Sequence, residues 1–149
     1  MKTPKDLGFI FPAEWEKHES TWLSYPHNEN SWPDKIETIF PSYNQFIAEV
    51  SKGEKVNINV LDQKMQDKVL AELQEIGAKM ENIHFHQFRT NDAWCRDHGP
   101  AFVLKSNQKA IVNWDYNAWG GKYPCELDNQ IPLQIAKHLE LEVFPPHII

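Results

Sequence analysis

The sequence predicts an α/β fold with helices packed on a sheet, and three observations carry that prediction. Apolar residues recur at helical spacing in two long stretches, the first starting at Ile36 and the second at Met65. Short strand-type runs lie before, between and after them, and Val56-Asn57-Ile58-Asn59-Val60 alternates strictly. Strand and helix patterns also alternate along the chain rather than segregating, as α/β folds require. At 149 residues the chain is one domain's worth, long enough to bury a core without staples.

Residues 1 to 20 are polar, with Phe9-Ile10-Phe11-Pro12 and Trp15 as expected anchors. Trp22-Leu23-Ser24-Tyr25-Pro26 reads as a short strand closed by proline, and His27 to Pro33 reads as a loop. From Ile36, apolar residues at Ile39, Phe40, Tyr43, Phe46, Ile47 and Val50 trace one face of a helix. Pro41 should either kink that helix or start its main part, and Gly53 should end it. After the alternating strand, Asp62 is placed to cap a helix whose buried stripe would be Met65, Val69, Leu70, Leu73 and Ile76, with Gly77 as its stop. Ile83 to Phe88 is a third strand. Phe102 to Leu104 and Ala110 to Trp114, joined by polar residues, predict a hairpin. Asp115 to Pro124 is an aromatic, glycine-bearing loop. A helix capped near Asp128 would bury Ile131, Ile135 and Leu139 with Pro132 in its first turn, before a strand beginning at Leu141. The terminal Pro145-Pro146-His147-Ile148-Ile149 is apolar enough to expect cover by a partner segment or by further chain.

Charge and composition narrow the function. The formal charge of -6, from 15 basic and 21 acidic residues, argues against a nucleic-acid or anionic-membrane surface and favours a cationic ligand. Only two of the 15 basic residues, Arg89 and Arg96, are arginines. Cys95 and Cys125 form no metal-type spacing, and Met1-Lys2-Thr3-Pro4-Lys5-Asp6 leads into no signal-type apolar stretch, so a reduced, cytoplasmic setting is expected. No apolar run approaches membrane-spanning length.

The densest chemistry lies in Asn91-Asp92-Ala93-Trp94-Cys95-Arg96-Asp97-His98-Gly99-Pro100, which opens onto the strand-type run from Ala101. A carboxylate beside an indole suits an organic cation, because Asp accepts paired hydrogen bonds from a guanidinium and the indole face attracts the same charge. In a flat strand Cys95 and Asp97 would share a face; in a turn Trp94 and Asp97 would. The closing Gly99-Pro100 favours the turn. Spacing alone leaves a second reading open, in which Arg96 and Asp97 form structural ion pairs and Trp94 is core. Cys95 as a nucleophile would need a base that the stretch does not identify. Asp115-Tyr116-Asn117-Ala118-Trp119-Gly120-Gly121-Lys122-Tyr123-Pro124 is the second candidate, a possible further wall or simply an aromatic loop pinned to the core. His84 and His86 would share one side of a strand, but no ordered set of further ligands accompanies them, so no metal and no other cofactor is expected.

Taken together, Pro12-Ala13-Glu14-Trp15-Glu16, Thr21-Trp22-Leu23-Ser24-Tyr25-Pro26, the decapeptide from Asn91 to Pro100, and Asn117-Ala118-Trp119-Gly120-Gly121-Lys122-Tyr123 resemble the agmatine deiminase family, which includes bacterial-type peptidylarginine deiminases. The resemblance covers nearly the whole chain. It implies a pentein-type α/β propeller, with residues 1–149 as the N-terminal portion of a single domain and about the first two of five blades. The implied reaction hydrolyses a guanidinium to a ureido group and ammonia, turning agmatine into N-carbamoylputrescine in putrescine and polyamine metabolism. A cysteine thiolate attacks, a histidine shuttles protons, two carboxylates grip the guanidinium, and water releases the covalent intermediate. By resemblance Asp97 is one of those carboxylates, Trp94 lines the pocket and Trp119 approaches the substrate's alkyl chain. The family's nucleophilic cysteine and its histidine match no position of this sequence, so the isolated chain is expected to be inactive. The expected partners are agmatine and either a C-terminal remainder of the same enzyme or a second copy. Without an arginine in either loop beyond Arg96, agmatine is favoured over peptidylarginine, and Lys122 keeps the latter open. A non-catalytic cation-binding module is the other class considered.

Overall fold

The computed structural model describes residues 2–145. They fall into two compact units, one formed by residues 17–95 and the other by the residues before 17 together with those from 96 onward. Instead of one sheet, the strands form two sheets of three.

In the first unit, β1 (Ser20–Ser24), β2 (Lys55–Asn59) and β3 (Ile83–His86) lie in that order and are all parallel. Parallel neighbours need long crossovers, which α1 (Ile36–Ser51) and α2 (Gln63–Glu75) supply. One face of the sheet is apolar. Val56, Ile58 and Val60 bury fully there with Leu23, Tyr25 and Ile83, against Ile47 of α1 and Val69 and Leu73 of α2. The expected stripe is therefore partly right: Ile76 and Phe46 are exposed, Ile76 because it is the residue on which α2 closes.

The other face of that sheet is polar and aromatic. Trp22, Asn57 and His84 lie in one row across the strands, and Ser24, Asn59 and His86 in the next. Asn59 Nδ2 donates to Ser24 Oγ (3.1 Å), and His86 bonds Asn57 Oδ1 through Nε2 (2.9 Å) while stacking on Trp22 at 4.6 Å. The two histidines do share a side, but His84 is exposed whereas His86 is buried in this network.

Helix ends follow local chemistry. Asp62 accepts from the Met65 amide (2.8 Å), the cap expected from sequence. Gly77, at φ +74°, closes α2: its amide donates to Gln74 O and that of Ala78 to Leu73 O. Gly53 plays no such part, since α1 ends at Ser51, Lys52 stays right-handed, and Gly53 is not among the positive-φ glycines. Pro41 sits inside α1 rather than at its first turn. Its missing amide forgoes one hydrogen bond, which the packing of Ile36, Ile47 and Ala48 offsets.

In the second unit, β4 (Ala101–Lys105) and β5 (Gln108–Val112) form the expected hairpin, and β6 (Glu142–Phe144) adds parallel to β5 after α5 (Ile131–His138). Ile131, Pro132, Ile135 and Ala136 are buried, but Leu139 lies beyond the last turn and is exposed. Asp128 does not cap α5; it starts a short 3₁₀ turn ahead of it and is itself buried. Of the N-terminal anchors only Phe9 is buried, edge-on to Phe144 at 5.6 Å. Ile10 holds the sheet by backbone alone, exchanging two 2.8 Å bonds with Leu104, while Phe11 and Trp15 are exposed. Residues 146–149, the apolar end expected to seek cover, lie outside the described residues. No helix among the described residues is long and apolar enough to cross a membrane.

Candidate active site

The decapeptide curls, as its closing Gly99-Pro100 requires. Residues 91–93 form a bend and Cys95–His98 the single turn α3, which carries the chain from the first unit into the second and on to β4. Asp97 lies within α3, and Trp94 immediately precedes that turn.

Trp94 is 42% exposed, so it is not a core residue. One ring face is covered by Trp32, stacked at 6.2 Å with planes 19° apart. Asp97 is exposed, and its carboxylate makes no hydrogen bond or ion pair among the described residues. Arg96 does not pair with it. Its Nη2 instead donates to Glu14 Oε1 at 3.0 Å, both side chains largely in solvent. Of the expected structural ion pairs, that of Arg96 is present, with Glu14, and that of Asp97 is absent among the described residues.

The other carboxylate of the stretch behaves differently. Asp92 is buried and accepts from Asn28 Nδ2 (3.1 Å), from Ser31 Oγ, and from the Ala93 amide (2.7 Å). With these three donors already satisfied, Asp92 suits a structural carboxylate rather than one waiting for a cation. His98, last in α3, is buried with Nε2 4.0 Å from Oδ1 of the equally buried Asp128. Neither the Asp92 nor the His98 contact was legible from the sequence, because their partners lie far away along the chain.

The second candidate loop is more ordered than expected. Ala118, Trp119, Gly120 and Gly121, which form α4 (Ala118–Gly121), all take positive φ, with Trp119 at φ 54°, ψ 46°. Left-handed backbone costs a non-glycine residue about 1–2 kcal/mol, so Ala118 and Trp119 are held there by other bonds. Asn117 supplies two, accepting from Gly120 N through Oδ1 (3.1 Å) and from Gly121 N through its carbonyl (2.7 Å). Ala118 is buried while Trp119 stands 52% exposed, edge-on to both Tyr116 and Tyr123. Lys122 Nζ lies 5.3 Å over the Tyr123 ring.

Both cysteines are free thiols. Cys95 packs against the first unit's core, and Cys125 Sγ lies 3.5 Å from Tyr116 O and 3.6 Å from Asn129 Nδ2. Among the described residues no three His, Cys, Asp or Glu side chains converge to hold a metal ion.

Comparison with known proteins bears on the same residues. Residues 10–149 match the profile of the Porphyromonas-type peptidyl-arginine deiminase family. A Legionella pneumophila protein provisionally named agmatine deiminase is 32% identical over 147 residues, which is 95% of this chain and 40% of that protein. Agmatine deiminase of Enterococcus faecalis superposes with a TM-score of 0.86 at 26% identity, over 98% of this chain and 40% of the other. A cysteine-to-serine variant of C. jejuni agmatine deiminase with substrate bound gives 0.78 at 29% identity, over 95% and 40%. The chain thus spans about 40% of the length of these relatives.

Proposed function

Because the chain belongs to the Porphyromonas-type peptidyl-arginine deiminase family, we propose that it forms part of a guanidinium hydrolase that converts agmatine to N-carbamoylputrescine and ammonia. In this reading the two three-stranded sheets are two blades of a five-bladed propeller, and the decapeptide between them contributes the substrate-gripping carboxylate.

The observation that carries the reading is the exposed, uncommitted carboxylate of Asp97, in the same motif as the half-exposed indole of Trp94. A guanidinium can donate two parallel hydrogen bonds to Asp97 and set its cationic plane against Trp94, contacts that hold the central carbon still for attack. Trp119, presented by its left-handed turn, is the proposed contact for the alkyl chain. A thiolate would then add to the guanidinium carbon, ammonia would leave with a proton from a histidine, and water would cleave the carbon–sulfur bond to give the ureido product. The surroundings of Cys95 and Cys125 support structural roles for both, so the nucleophile and its histidine are assigned to sequence outside these 149 residues.

Agmatine is preferred over peptidylarginine because Arg96, the arginine nearest to Asp97, is already paired with Glu14 and offers no uncommitted clamp for a carboxylate. The test measures binding and turnover of agmatine, arginine and an arginine-terminated peptide by the 149-residue chain. Agmatine should bind best, Asp97→Asn should weaken it at least tenfold, and no ureido product should form. Turnover on the order of 1 per second or faster, lost in Asp97→Asn, would locate the nucleophile within this chain and overturn the division of labour.

A further inference from the structure

The loop between β1 and α1 is tied to the decapeptide by two independent contacts. The first is polar: Asn28 Nδ2 and Ser31 Oγ both donate to the buried Asp92 carboxylate. Asn28 Oδ1 in turn accepts from the Asn30 amide at 3.1 Å, which fixes the turn that presents both donors. The second is aromatic, the stack of Trp32 on Trp94. All of these residues belong to the same compact unit. A half-exposed tryptophan on a bend would ordinarily sample several rotamers, since one open side gives it little to pack against. Here Trp32 stacks on the Trp94 indole and the latch holds the backbone two residues before it.

From this geometry we propose that residues 28–32 back the indole of Trp94, with Trp32 and the Asn28–Ser31–Asp92 latch as positioning residues for that ring. Asp92 and Asp97, five positions apart, thereby divide the labour of one motif. Asp92 satisfies neutral donors and fixes the indole, while Asp97 stays open to the cation. The inference rests on the guanidinium reading of the site, and it adds a role for a loop whose sequence carries no motif.

The indole ¹H–¹⁵N resonance of Trp94, assigned by its loss in Trp94→Phe, reports on position independently of ligand. In the 149-residue chain, Asp92→Asn, the milder Ser31→Ala and Trp32→Leu should each shift that resonance and weaken agmatine binding by threefold or more. Asp62→Ala, which loosens a helix cap in the same unit, should lower thermal stability comparably and move neither. A Trp94 resonance that stays in place in folded Ser31→Ala and Trp32→Leu would overturn the inference. So would agmatine binding that is lost in Asp97→Asn yet unchanged in those two, and that outcome would leave the guanidinium reading standing. Failure of the unmodified chain to bind agmatine would overturn both.

Discussion

Tyr25 and Tyr43 make the chain's stability depend on alkaline pH. Burial is the main force raising both phenols above their usual 10.0, assisted at Tyr25 by Glu72 and at Tyr43 by Cys95. Tyr25 donates to Asn44 Oδ1 at 2.9 Å and Tyr43 to Ser24 O at 3.1 Å, bonds available only to the protonated hydroxyl. A pKa raised on folding means the native state holds its proton more tightly. That stability is fully present below the unfolded value near pH 10 and is lost as pH climbs through the raised one. Urea midpoints taken from about pH 9 to 11.5 should fall, by up to about 1.4 kcal/mol per pH unit for each tyrosine, and Tyr43→Phe should reduce the slope. At this scale the sequence was informative about the turn that Gly99-Pro100 closes, because a breaker is written in neighbouring residues. It said nothing of which carboxylate in the motif would be buried. That was decided by Asn28, 64 positions away from Asp92, and no local pattern encodes such a contact.

Two helices that end in the same geometry with different residues give a test at the level of elements. α2 closes through Gly77 at φ +74°, where a Cβ would meet nothing within 4 Å, so the cost of adding one lies in the backbone alone. α5 closes through Glu140 at φ 54°, with Leu141 N donating to Ala136 O at 2.8 Å, the same overlapping bond pattern. Gly77→Ala should therefore cost about 1 kcal/mol and Glu140→Gly should return about as much, as urea titrations of the two variants can measure. Helix periodicity and the Asp62 cap were readable because each is written in a few neighbouring residues. The left-handed run at Ala118 and Trp119 was not, since nothing in alanine or tryptophan asks for positive φ; Asn117 and the two following glycines make it tolerable. Pro41 left two readings open, and its place inside α1 excludes the one in which it starts the helix; tertiary packing of a long apolar face tolerates the breaker there.

At the level of the whole molecule, alternation of strand and helix was legible in the periodicity, but periodicity alone did not divide the strands into two sheets. The boundary falls between Cys95 and Arg96, inside the motif that reads as one functional stretch. Each unit has its own apolar cluster, one around Ile58 and Leu73, the other around Phe9 and Phe144. Ile58→Ala should lower stability by about 2–5 kcal/mol. Native-state hydrogen exchange should then speed up more in β1–β3 than in β4–β6 if each cluster guards its own sheet. Equal acceleration everywhere would mean the two open as one cooperative body.

The Ile10–Leu104 bridge sets a timetable for the chain during its synthesis. Residues 17–95 leave the ribosome as an uninterrupted block and hold every strand of their parallel sheet, so that block can settle as it emerges. The segment ahead of that block cannot. Phe9 and Ile10 must wait for Leu104 and Phe144, a delay on the order of 5–30 seconds at ordinary translation rates. Through that interval the apolar Phe9-Ile10-Phe11 run is left open to solvent or to a chaperone, and a segment made before the parallel sheet finds its place after it.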